Sequence, residues 1–222
     1  MLLCQRAVVR QVMKSNLFII AKKGWLYLAY SISIFILLTI VDLEFFAFFA
    51  FLITLFFIFV FRNPERELVS FEPNSILSPA DGIVSSITTL KESEYAYRVD
   101  IQSNYFDVSL LRSPMNATVE SVITQEGTRV SQDSILFNDL NENSELVFID
   151  ENKNRVKVVH RIAQSFAPLC IDVIGKQALL QTSRYGLMLN GTTSIYLPSN
   201  VRVNVNVGNE VKASQTLLAH IS

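Results

Sequence analysis

Two apolar runs near the start of the chain, Trp25 to Val41 and Phe45 to Phe61, are interrupted only by Asp42-Leu-Glu44. Neither run contains a charge, and the second is very rich in Phe. Each is about 17 residues long, at the short end of what spans a bilayer. Two such runs around a short acidic turn predict a two-helix transmembrane hairpin. The alternative is a re-entrant or interfacial hairpin that dips in without crossing. Arg6, Arg10, Lys14, Lys22 and Lys23 precede the first run without any Asp or Glu, and Arg62 and Arg66 follow the second. The positive-inside rule then places both ends in the cytoplasm and the acidic turn across the membrane. Residues 1–24 read as a basic cytoplasmic leader, 25–61 as the hairpin, and 62–222 as a separate domain.

From Glu67 onward the pattern changes. Short runs of alternating apolar residues take over, separated by turn residues such as Pro79-Ala-Asp-Gly82 and Val207-Gly-Asn209. Candidate strands include Gly82 to Thr88, Tyr97 to Ile101, Ala117 to Ile123, Leu146 to Ile149, Val156 to Val159, Leu169 to Ile174, Ser194 to Leu197 and Val201 to Val205. This spacing predicts a mostly β domain, sandwich- or barrel-like, after the hairpin. The formal net charge of -1 gives no electrostatic footprint for nucleic acid. Cys4 and Cys170, the two cysteines, form neither a disulfide framework nor a metal-ligand cluster.

The stretch Gly186-Leu-Met-Leu-Asn-Gly-Thr-Thr-Ser-Ile-Tyr-Leu-Pro198 admits two readings. Asn190-Gly191 is a strong hairpin signal between two strands. A glycine followed by a hydroxyl residue is also where a chain can cut its own backbone, the hydroxyl attacking the preceding carbonyl.

Four stretches in order carry a resemblance. They are Phe61-Arg-Asn-Pro-Glu-Arg66, Ser78-Pro-Ala-Asp-Gly-Ile-Val84, Asn104-Tyr-Phe-Asp-Val-Ser-Leu-Leu-Arg-Ser-Pro114 and Gly186 to Pro198. Together they resemble the phosphatidylserine decarboxylases of the short, membrane-anchored prokaryotic type. The resemblance implies a lyase of phosphatidylethanolamine synthesis, anchored in the inner membrane with its β domain in the cytoplasm. It implies a pyruvoyl cofactor, made when the proenzyme cuts between Gly and Ser, whose carbonyl condenses with the substrate's amine and acts as an electron sink. An Asp–His pair would activate the Ser.

Carried over residue by residue, the resemblance makes Asp81 the orienting acid; by itself Asp81 reads as a turn residue before Gly82. Aligning Arg112-Ser-Pro114 places Ser109 at the histidine position and Leu111 where the family has Asn. Anchoring on Gly186 makes Gly191 and Thr192 the cleavage pair, and cutting there would leave a 2-oxobutyryl group instead of pyruvoyl. Anchoring on Tyr196-Leu-Pro198 puts Asn190-Gly191 there instead. His160 reads as an exposed residue at the end of a strand beside Arg161, and His220 lies near the C-terminus. The expected partner is membrane phospholipid, with a homo- or hetero-oligomer open, and no metal or nucleic acid. Three functions follow: a decarboxylase with a diverged cleavage site, a non-catalytic homologue that binds phospholipid or a partner subunit, or a structural membrane-anchored interaction module.

Overall fold

The computed structural model describes residues 19–66, 74–91 and 94–221. Cys4 and most of the basic leader lie outside them. Helix α1 (Gly24–Ile40) and helix α2 (Glu44–Val60) pair as a helical hairpin. Their buried seam is mostly small side chains: Gly24 and Ser31 beside Leu28 on α1, and Ala47, Ala50 and Thr54 on α2. These fall at helical spacing, and small residues let two backbones approach closely. Gly24 is required here, because a Cβ would run into the side chain of Phe61. The outward faces keep large apolar side chains exposed, including Phe45, Phe48, Phe49 and Leu37. Among the described residues no helix is long and apolar enough to cross a membrane. Each helix has 17 residues, which rise about 25 Å against a hydrocarbon core of roughly 30 Å.

The remaining chain is mostly β, as the alternation predicts. In chain order the strands are β1 (Ser75–Leu77), β2 (Gly82–Thr89), β3 (Tyr97–Ser103), β4 (Leu110–Arg112), β5 (Ala117–Gln125), β6 (Asn143–Ile149) and β7 (Arg155–Ile162). They continue with β8 (Cys170–Ile171), β9 (Ala178–Leu179), β10 (Arg184–Leu187), β11 (Gly191–Leu197), β12 (Val201–Val203), β13 (Glu210–Val211) and β14 (Leu217–Ile221). One short helix, α3 (Phe137–Leu140), sits in the β5–β6 connection. An antiparallel eight-stranded sheet runs β13-β2-β3-β11-β7-β6-β5-β9, with β11 inside it between β3 and β7. Two three-stranded sheets, β1-β14-β12 and β4-β10-β8, complete the domain. Val84, Val99, Ile101, Phe148, Val158 and Ile195 are fully buried in the main core. Strand β6 shows why: Ser144, Leu146 and Phe148 are buried while their neighbours are only half-buried, the period of two expected of a strand.

Two sequence expectations are corrected. Asn190-Gly191 is not a hairpin turn. Strand β10 belongs to a small sheet and β11 to the large one, so residues 188–190 carry the chain from one sheet to the other. Two tertiary bonds fix that crossing: Met188 N donates to Ser109 O at 2.8 Å, and Ala163 N donates to Asn190 O at 2.9 Å. These contacts, not the local Asn-Gly propensity, decide the path. The expected strand from Leu169 to Ile174 shrinks to Cys170–Ile171, the two residues that pair in register with Leu187 and Gly186 of β10.

A second apolar cluster joins the hairpin to the domain. Val60 and Phe61 pack with Val108, Leu110, Ala167, Leu187 and Leu189. The Phe166 ring touches Tyr27, Phe57 and Phe61 and stacks on Tyr105 at 5.8 Å. The hairpin's two ends are tied by Ala21 N donating to Phe61 O and Asn63 N donating to Ile19 O. Strand β4 and the end of β10 therefore sit directly at the base of the helices.

Candidate functional site

The turn Pro79-Ala-Asp-Gly82 holds Asp81 between β1 and β2, with the residue almost fully buried. Its Oδ2 accepts from Arg66 Nη2, and its Oδ1 accepts from Ala213 N at 2.8 Å. Both members of the ion pair are nearly out of solvent, the side chains 7% and 9% exposed. Arg66 also donates to Ala213 O at 2.5 Å. The Asp81 carbonyl accepts from Ser103 Oγ at 2.5 Å, and Ser103 pairs with Gly191 across β3 and β11.

Ser109 is buried just before β4. Its Oγ donates to Val60 O at 3.1 Å, satisfying one of the carbonyls left open at the end of α2. Its own carbonyl accepts from Met188 N. Asp81, Ser109 and Gly191 are thus gathered around one stretch of chain, but through backbone links. The Asp81 carboxylate turns to Arg66 and the Ser109 hydroxyl turns to the hairpin.

Gly191 and Thr192 open β11. Gly191 pairs with Ser103 and Ile162, and Thr192 with Gln102 and Arg161, so the peptide between them is flanked by strands on both sides. A Cβ on Gly191 would run into the Arg161 carbonyl oxygen, which accounts for glycine at that position. Beside Thr192 the amides form a short chain: Gln102 donates to Gln132, and Gln132 donates to Asn190 Oδ1 at 3.3 Å.

His160 overturns its expectation. It is completely buried, not exposed. Its Nδ1 lies 2.9 Å from Thr193 Oγ1 and its Nε2 lies 2.7 Å from Tyr185 Oη. Burial holds the imidazole down to about 3 and pushes the Tyr185 hydroxyl well above its ordinary range. The neutral ring accepts through one nitrogen and donates through the other. The sequence carried a signal for this, since His160 shares its strand face with Val156 and Val158 at a period of two. Sequence reasoning also missed Arg66 as the partner of Asp81, although Arg66 closes the Arg-Asn-Pro-Glu-Arg stretch. Across the face opposite Thr193, Ser194 Oγ donates to Asp100 Oδ1 at 2.6 Å, and Arg98 donates to the same oxygen at 2.7 Å.

The sequence model for phosphatidylserine decarboxylase matches residues 53–219, three quarters of the chain. The chain belongs to the phosphatidylserine decarboxylase family. Among curated relatives, the phosphatidylserine decarboxylase proenzyme of Cupriavidus metallidurans is 30% identical, covering 91% of this chain and 95% of that one. The proenzymes of Burkholderia ambifaria and Desulfotalea psychrophila are 28% and 27% identical, each covering 91% of this chain and 96% of their own. At the positions the resemblance carries over, this chain has Thr192, or Gly191 in the other alignment, and Ser109, where the resemblance calls for a serine and a histidine. A threonine at the cut would carry an extra methyl, and a serine hydroxyl does not take up a proton near neutral pH. Among the described residues no group of His, Cys, Asp and Glu could hold a metal.

Proposed function

We propose that this chain is an uncleaved, non-catalytic member of the phosphatidylserine decarboxylase family that binds phospholipid at the membrane. One observation carries the reading: Ser109, at the family's histidine position, spends its hydroxyl on the Val60 carbonyl. The imidazole of His160 is no substitute, because it meets Thr193 on the core face and is held neutral by burial. Loss of the base together with replacement of the serine removes two steps of one catalytic unit, whose members fail together. No pyruvoyl group forms, and Gly191–Thr192 remains an ordinary peptide within the sheet.

The helical hairpin is the lipid anchor, its exposed Phe and Leu side chains covered by acyl chains. Both of its ends face the cytoplasm, where the basic flanks are retained. The helices are short for a full bilayer, and local thinning brings the acidic tip at Asp42 and Glu44 toward the far headgroups.

Intact mass of the purified full-length protein tests the catalytic part. A single species at 25.1 kDa is expected. A C-terminal piece beginning at position 192 with a blocked, keto-bearing N-terminus would restore the decarboxylase reading with a 2-oxobutyryl group. For topology, a cysteine in place of Ser222 should stay unmodified by an impermeant maleimide on intact cells; labelling there would reverse the orientation.

A further inference from the structure

Phe106 is the point where the β domain itself meets the hairpin's lipid-facing side. It is 77% exposed. A lone exposed aromatic on a protein surface is ordinary, but this one is held out deliberately. The turn Asn104 to Asp107 is closed by three bonds: Phe106 N donates to Asn104 Oδ1, Asn104 N donates to Asp107 Oδ2, and Asp107 N donates to Asn104 O. The ring of Phe106 lies 6.3 Å from that of Phe59, on the last turn of α2, and Phe59 is also exposed. Arg62 bridges the two. Its guanidinium sits 4.2 Å from the Phe59 ring centre, and it donates to Phe59 O at 3.0 Å and to Phe106 O at 2.5 Å.

Charge marks the depth of this group. Lys22 and Lys23 are exposed just before α1, and Arg62 is just after α2, so the hairpin's open end carries basic residues where its apolar surface stops. Basic residues at helix ends sit at the headgroup level of anionic lipid. Asp107 is the acidic group facing Arg62 in this turn; burial holds its carboxyl above the usual range.

We propose that the Asn104–Asp107 turn is a second membrane contact, inserting Phe106 into the headgroup and upper acyl region of an anionic bilayer with Arg62 against the lipid phosphates. This rests on the reading of the hairpin as a lipid anchor. The contact fixes the orientation of the domain, since one hairpin alone leaves it free to tilt. It also brings the Ser109–Met188 link, just before β4 and just after β10, up to the headgroups.

Fluorescence depth measurement on the full chain tests this. Trp25 is the only tryptophan, so the wild type reports the hairpin and the W25F/F106W variant reports the turn. Both are reconstituted in phosphatidylcholine–phosphatidylglycerol vesicles. The reporter at 106 is expected to lose emission to lipids brominated near the top of the acyl chain more than near its end. That pattern corresponds to immersion of about 5–10 Å, and acrylamide added to the water should leave the emission largely intact. Adding R62A should reduce the quenching more in anionic than in zwitterionic vesicles. If Trp25 is quenched by brominated lipid while the reporter at 106 stays open to acrylamide, the second contact is refuted and the anchor stands. If neither is quenched, the anchor reading falls and the second contact with it.

Discussion

Thr192 and Thr193 are adjacent on β11 and belong to different surroundings. Thr193 points into the core and joins a neutral chain with His160 and Tyr185. Thr192 lies on the opposite face of the same strand, between Gln102 and Arg161. Beyond the Gly191 end of the strand lies a charged pair, Asp81 with Arg66. The two polar centres differ in kind: one is neutral and sealed, the other is a buried ion pair recruited from the linker behind the hairpin. Strand alternation separates them. The imidazole sits on one face of β11, while Thr192 sits on the other. A single side-chain direction thus keeps the imidazole away from the face that carries Thr192.

Replacing Arg66 should break this contrast most strongly. Among the described residues, the R66A variant leaves the Asp81 carboxylate with the Ala213 N–H alone, and breaking a buried pair costs about 3–5 kcal/mol. Chemical unfolding in detergent should show that loss; a loss below about 1 kcal/mol would mean that solvent reaches Asp81.

The neutral centre should reveal itself through pH. The folded imidazole is held to about 3, against about 6.5 in the unfolded chain. Below pH 6.5 the unfolded state takes up a proton that the folded state refuses. Stability from this residue is therefore complete above that pH and is lost as the pH falls toward 3. Between pH 7 and pH 5 the loss is about 2 kcal/mol. An H160Q variant should flatten that slope, and an unchanged slope would place the proton uptake elsewhere.

The smallest effect is expected where the domain touches the hairpin. The S109A variant removes one bond to the Val60 carbonyl and should cost about 1 kcal/mol. A much larger loss would mean that Ser109 positions the hairpin itself.

The strongly patterned segments were legible. The apolar runs broken at Asp42 and Glu44 gave helices α1 and α2 nearly to the residue, and period-two alternation found β2, β3, β5 and β7. Asp81, Ser109, Gly191 and Thr192 were named from motif order, and the structure gathers them through Ser103 and Met188. The direction of each side chain was not legible. That Asp81 turns to Arg66, and Ser109 to Val60, depends on contacts 15 and 49 residues apart in the chain.

The sequence by itself determined the class of architecture, a helical hairpin before a β domain, because hydrophobic periodicity is a local property that each segment carries alone. It also determined that positions 109 and 192 hold Ser and Thr, since residue type is independent of fold. Only the tertiary structure decided that Asn190-Gly191 crosses between sheets and that His160 is sealed against Tyr185. Both outcomes follow from strand pairing at long range, where burial and satisfied hydrogen bonds outweigh the preference of any short stretch for a turn.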